Sequence, residues 1–179
     1  MLYFAFGSNL SLQQMSKRCP QSRFIGRAIL PDYRWQINQR GYANVVQCCG
    51  SSVHGLVYLL EAADEVSLDR SEGVGIGAYS KDYCDVLLYP AAVELQKQPD
   101  QVRSAIDGDQ QGAHPPEQRP HLQENTLVYL STHYIKPGAP HEEYIHRINT
   151  GIRDAVSLGV PPAFFENAVR PLVPSELEG

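Results

Sequence analysis

Four short runs rich in aromatic and β-branched residues crowd into one stretch of the chain, at residues 24–30, 33–38, 43–47 and 53–60. Pro31-Asp32 and Gly41 punctuate them as turn signals. Further strand-like runs lie at 2–6, 79–89 and 126–131, while helical patterns are few. Many short strands with a handful of helices predict a single α+β domain, with strands that can curl into a barrel.

The helical signals are local and specific. Ser11 with Gln14 three residues later has the form of a capping box, and Pro20 stops the helix that follows. Residues 62–71 carry Asp64 and Glu65 in their first turn and Gly73 just past their end. Residues 141–158 show the clearest helical period, with Ile145, Ile148, Ile152 and Val156 in register and Gly159 as terminator. Pro161-Pro162 opens a last short helix. Residues 97–123, dominated by Gln, Asp, Gly and Pro, read as a mobile insertion, either a lid or a surface loop. Too little chain follows them for a second core, so one domain is expected over residues 1–179.

Charge and composition exclude several functions. The net charge is −5 and no basic stripe is present, which argues against a nucleic-acid partner. The apolar start ends at Gly7, too short for a signal peptide or a membrane span, so a cytoplasmic protein without membrane contact is expected. The four cysteines, Cys19, Cys48, Cys49 and Cys84, form no C-x-x-C pair and read as free thiols. His141 and His146 stand five residues apart, the wrong spacing for a zinc-binding helix, and no metal site is expected. The oligomeric state stays open, a homodimer included.

Two places carry chemistry. The strand at 2–6, the turn Gly7-Ser8-Asn9 and the helix behind it form a suggestive order. A glycine there lets the backbone approach a ligand closely, and amide groups at such a turn can hold a carboxylate or an oxyanion without a basic side chain. Glu72 ends the acidic helix, within Leu68-Asp69-Arg70-Ser71-Glu72-Gly73-Val74. A helix C-terminus and burial both disfavour an ionised carboxylate, and Asp69 on the same face adds to this, while Arg70 opposes it. The residues alone leave Glu72 as either a solvated helix-end glutamate or a proton carrier.

Taken together, the two segments resemble the γ-glutamylcyclotransferase family. Tyr3-Phe4-Ala5-Phe6-Gly7-Ser8-Asn9-Leu10 is similar to its Y-F-A-Y-G-S-N-L signature, and residues 68–74 with Gly77-Ala78-Tyr79 are similar to its L-D-x-x-E-G-V…G-x-Y segment. Weaker resemblance covers residues 54–60, Tyr129 with Tyr134, and Tyr144 with Gly159-Val160-Pro161. The resemblance implies a compact mixed barrel with flanking helices and a small γ-glutamyl substrate, with no cofactor. It implies Glu72 as acid–base, the loop Tyr3 to Leu10 around the glutamyl group, and Tyr79, Tyr129 and Tyr144 in the substrate pocket. Phe6 stands where the signature has tyrosine, so any contact made by that hydroxyl in relatives is absent here.

The implied reaction is intramolecular. Glu72 takes a proton from the α-amine, the amine closes on the γ-carbonyl, and 5-oxoproline and a free amine result. The leaving group is left open between γ-glutamyl amino acids or peptides, γ-glutamylamines and glutathione adducts, with a non-catalytic binding protein on the same fold as the alternative of another class. Whether the Gly7-Ser8-Asn9 loop holds the carboxylate or the oxyanion also stays open.

Overall fold

The computed structural model describes residues 1–109 and 116–175. Among them, five strands close into a barrel in the order β1-β3-β2-β4-β5: β1 (Leu2–Ala5), β2 (Arg23–Ile37), β3 (Ala43–Leu59), β4 (Ser80–Pro90) and β5 (His121–Leu130). Neighbours are antiparallel except at the closure, where β1 runs parallel to β5 with Tyr3 opposite Leu127. Gly55 permits the close approach of β3 to β1. A Cβ at position 55 would lie 2.2 Å from the Ala5 carbonyl oxygen.

The four short runs expected between residues 24 and 60 are two long strands. Pro31-Asp32 lies within β2 rather than at a turn; opposite it residues 48–51 of β3 bulge out, and pairing between the two strands resumes on both sides. Asp32 takes a left-handed backbone (φ 59°), and its Oδ1 accepts the Gly50 N–H at 2.9 Å. The extra residues on β3 interrupt the ladder locally without ending either strand. Gly41 does turn the chain, its N–H bonding Asn38 O at 2.8 Å in the β2–β3 hairpin. Both faces of the sheet are packed: Phe4 and Leu30 lie on one, Phe24, Leu56 and Tyr58 on the other, all fully buried.

Helices cover the outside. Helix α1 (Leu12–Arg18) begins at Ser11, whose Oγ accepts the Gln14 N–H at 3.3 Å. The expected capping box is half formed, because the Gln14 amide turns instead to Ser8 and Asn9. Helix α2 (Ala62–Ser71) is tied to α1: Ser67 Oγ donates to Arg18 O at 2.7 Å, and Asp64 Oδ1 accepts the Gln21 N–H at 3.2 Å. Helix α4 (Glu142–Ser157) buries Tyr144, Ile148, Ile152 and Ala155, while Val156 is 36% exposed, so the apolar face is rotated from the expected isoleucine stripe. Helix α5 (Pro162–Phe164) runs into one wider turn over Phe165–Val169.

The segment expected to be a mobile insertion is ordered over much of its described length. Residues Pro99–Gly108 form helix α3, which buries Pro99 and Val102 and packs on α1, and β5 begins at His121. Arg103 of α3 pairs with Asp154 of α4, whose side chain is 4% exposed. Residues 110–115 of that expected insertion lie outside the described residues. No helix among the described residues is long and apolar enough to cross a membrane.

Candidate active site

Helix α2 delivers Glu72 to the mouth of the barrel. Glu72 caps the helix, its N–H bonding Leu68 O at 2.8 Å, and Gly73 takes the left-handed position that ends it (φ 65°). The chain then makes one short turn over Val74–Ile76, and Gly73 O accepts the Ala78 N–H at 3.0 Å. That return sets Tyr79 at the head of β4, where its hydroxyl donates to Ala43 O at 2.5 Å.

From the opposite side, the loop after β1 supplies the partner of Glu72. Asn9 Nδ2 donates to Glu72 Oε1 at 2.9 Å and reaches the Tyr3 hydroxyl at 2.9 Å. Its Oδ1 accepts from Gln14 Nε2 at 2.8 Å and Arg18 Nη1 at 3.0 Å. Both ends of the amide are thus engaged, which fixes the face that it turns to Glu72. Arg18 Nη1 also lies 3.7 Å from Glu72 Oε1.

Burial pushes the Glu72 carboxyl above its usual range. The Arg18 charge, the Asn9 hydrogen bond and the Arg147 charge oppose that rise without cancelling it. Asp69 was expected to raise Glu72 further, but it is engaged elsewhere. Its Oδ1 accepts from the Tyr129 hydroxyl at 2.5 Å and its Oδ2 from Lys81 Nζ at 3.0 Å. Arg18 and Arg147 do the work expected of Arg70.

Glu72 stands where two cavities meet. The inner recess, about 30 Å³, is lined by Tyr3, Phe6, Gly7, Asn9 and Tyr129. The outer one, about 300 Å³, is walled by Arg18, Arg40, Arg70, Arg147 and Ile76. Ser8, Glu72, Tyr79 and Tyr144 line both. The recess has room for the polar tip of a ligand or about two waters, so the body of a ligand belongs in the outer cavity. Gly7 is not left-handed, with φ −119°. Space is what demands glycine there, since a Cβ would sit 3.0 Å from the Tyr144 hydroxyl.

Glu72 is the one carboxylate lining either cavity among the described residues. The tyrosines around it cannot share its role at neutral pH. Burial holds Tyr144 at about 12 and raises Tyr3 and Tyr79 well above their ordinary value. They stay protonated and serve as hydrogen-bonding walls. The site therefore sets one carboxyl of raised pKa between a polar recess and a cationic vestibule.

Of the residues expected at the site, Tyr3, Phe6, Gly7, Ser8, Asn9, Glu72, Tyr79, Tyr129 and Tyr144 are brought together at these cavities. Phe4, Ala5 and Leu10 are not. Phe4 and Ala5 are fully buried in the core, and Leu10 faces α4 at Gly151. Gln14, Arg18, Arg40 and Arg147 were not anticipated. Gln14 was read only as part of a cap, and the arginines are scattered over α1, the β2–β3 hairpin and α4, with no shared motif to flag them. Among the described residues, no cluster of three His, Cys, Asp or Glu side chains gathers as for a metal ion.

Residues 3–109 match the family model described as gamma-glutamyl cyclotransferase, AIG2-like. The chain belongs to this family.

Gamma-glutamylcyclotransferase of Homo sapiens is 33% identical over 88 residues, covering 44% of this chain and 47% of that protein. The same enzyme of Mus musculus is 34% identical over the same coverage. The chain thus spans about half the length of the curated relatives it matches. Among solved structures, a gamma-glutamyl cyclotransferase at 23% identity superposes with a TM-score of 0.65, covering 100% of this chain and 91% of that one. An uncharacterized human protein at 25% identity gives 0.66 over 99% and 90%. These likenesses agree with the closed mixed barrel and its outer helices. Within the gamma-glutamyl cyclotransferase match fall Glu72, Asn9 and three of the arginines, Arg18, Arg40 and Arg70. Tyr129, Tyr144 and Arg147 lie beyond it and join the site through β5 and α4.

Proposed function

We propose that this chain closes γ-glutamyl amides into 5-oxoproline and releases the amine, with Glu72 carrying the protons. The observation that supports this reading most is the environment of Glu72: one half-buried carboxyl, raised towards neutrality, held by Asn9 at the junction of recess and vestibule. Family membership and the named relatives support the same reaction class.

A γ-glutamyl amide carries its own nucleophile, blocked as an α-ammonium at neutral pH. Glu72 in its carboxylate form takes a proton from it. The freed amine attacks the γ-carbonyl carbon, a C–N bond forms, and the carbonyl oxygen becomes an oxyanion. Backbone amides at Gly7 or Ser8 are the donors assigned to that oxygen, each of this type contributing about 3 kcal/mol. Collapse breaks the original amide bond. The attacking nitrogen sheds two protons in becoming a lactam N–H, the departing nitrogen gains two in leaving as an ammonium, and Glu72 hands them across one at a time. No water is consumed. Holding the glutamyl chain bent for ring closure supplies much of the acceleration.

The test is 5-oxoproline release from a panel of γ-glutamyl amino acids, γ-glutamyl-ε-lysine and glutathione, by the wild type and by Glu72→Gln. Release by the wild type, lowered about 100-fold or more in a variant that melts at a similar temperature, is expected. Undiminished release by Glu72→Gln would remove Glu72 from the mechanism, and no release from any substrate would remove the reaction.

A further inference from the structure

The vestibule is more cationic than a γ-glutamyl group requires. Arg18, Arg40, Arg70 and Arg147 wall it, coming from α1, the β2–β3 hairpin, α2 and α4 in a chain whose net charge is −5. Two carboxylates stand against them. Glu72 lies 3.7 Å from Arg18, and Glu143 accepts from Arg147 at 2.8 Å on the outer side of α4. Arg40 and Arg70 have no carboxylate partner among the described residues. Arg40 is steadied by aromatic faces instead, its guanidinium 5.1 Å from the Tyr134 ring and 5.8 Å from that of Tyr42. Arg147 keeps a buried Nε with no hydrogen-bond partner. Its guanidinium lies instead over the Tyr144 ring, 5.0 Å from the centroid.

We infer that the vestibule is a subsite for an acidic leaving group, so that the preferred substrate is a γ-glutamyl dipeptide whose second residue carries a side-chain carboxylate. This rests on the cyclotransferase reading above. Two positive charges are left over at the wall. A γ-glutamyl dipeptide ending in a neutral residue brings a single net negative charge, because its α-ammonium offsets one of its two carboxylates. An acidic second residue brings the second net charge and matches the wall. A simple γ-glutamylamine brings none. Planar guanidinium groups suit this task, since each can grip a carboxylate with paired N–H donors. The vestibule, at about 300 Å³, has room for a second amino acid beside the glutamyl group. None of the described residues of 97–123 lines it, so selectivity is assigned to these arginines and not to that segment.

The experiment compares γ-glutamyl-glutamate with its neutral isostere γ-glutamyl-glutamine. Binding to Glu72→Gln is measured by calorimetry, which needs no turnover, and kcat/KM for 5-oxoproline release is measured on the wild type. A preference of about tenfold for the acidic dipeptide is expected in both, falling as salt rises from about 50 to 500 mM. Arg40→Gln and Arg70→Gln, built into both backgrounds, are expected to bring the ratio towards one. Equal binding of the two dipeptides, or a preference that persists in the double arginine variant, would overturn the subsite. A clear binding preference without any 5-oxoproline would leave the subsite standing and defeat the cyclotransferase reading instead.

Discussion

Asn9 Nδ2 donates to Glu72 Oε1 at 2.9 Å, joining the first loop of the barrel to the end of α2 across 63 residues of chain. The bond favours the ionised carboxylate, so it both aims Glu72 and restrains the rise that burial imposes. In Asn9→Ala the restraint is gone. The acid limb of the kcat/KM profile is expected to move to higher pH, with a fall of about 10- to 100-fold at the optimum, the range for losing a hydrogen bond to a charged group. An acid limb that stays where the wild type has it would show that Asn9 does not act through Glu72.

Glu72 also has a signature in stability. Its folded pKa lies above the ordinary 4.5, with burial the largest cause. The folded state therefore holds the proton more tightly than the unfolded chain does. The stability linked to that proton is fully present below the unfolded pKa and is lost as pH rises through the folded one. Glu72→Gln, which stays neutral throughout, is expected to melt with the wild type near pH 4 and a few degrees above it at pH 7.5. Melting curves of the two proteins across that range check it. A variant less stable than wild type at pH 7.5 would contradict the assigned burial cost.

The site was legible in the sequence where a local rule set the geometry, and hidden where tertiary packing did. Helix α2 occupies the 62–71 expected, because acidic residues open it and Gly73 closes it with the left-handed turn that glycine tolerates. That local pattern places Glu72. The strands were harder. Pro31-Asp32 has turn chemistry, yet Gly50 N–H on the facing strand satisfies Asp32, and β2 runs on opposite a bulge in β3. Helix α3 has only Val102 and Pro99 as buried anchors, and its pairing of Arg103 with Asp154 spans 51 residues. Arg18 reaches Glu72 only because Ser67 holds the end of α1 against α2. No spacing rule along the chain reports a contact of that kind.

Asp154 is the buried joint of the outer helices. Its Oδ2 accepts the Leu12 N–H at 2.8 Å, at the start of α1, and its Oδ1 accepts from Arg103 of α3. Asp154→Ala leaves an orphaned amide and an unpaired guanidinium at once, and a loss of about 3 kcal/mol in urea unfolding is expected. Arg103→Gln leaves the Leu12 bond in place and is expected to cost about 1 kcal/mol, since the arginine is partly exposed. If Asp154→Ala unfolds within about 0.5 kcal/mol of wild type, the joint contributes no more than an ordinary surface position.

Gly151 sets how closely α4 lies on the loop after β1. A Cβ there would meet Leu10 Cβ at 2.9 Å and the Ser11 nitrogen at 3.3 Å. In an exposed helix, glycine to alanine stabilises by about 1 kcal/mol, but here the gain is opposed by a contact that has to open. Leu10 follows Asn9 directly and Ser11 caps α1, so the displacement passes into the groups that hold Glu72. Gly151→Ala is expected to keep its fold, with a melting temperature within a few degrees of wild type. Its kcat/KM should fall about tenfold or more, because shifts of about 1 Å in a reacting geometry are that costly. The check is a pair of measurements on one preparation, thermal melting and 5-oxoproline release. Full activity in a folded Gly151→Ala would mean that the loop absorbs the methyl group without moving Asn9.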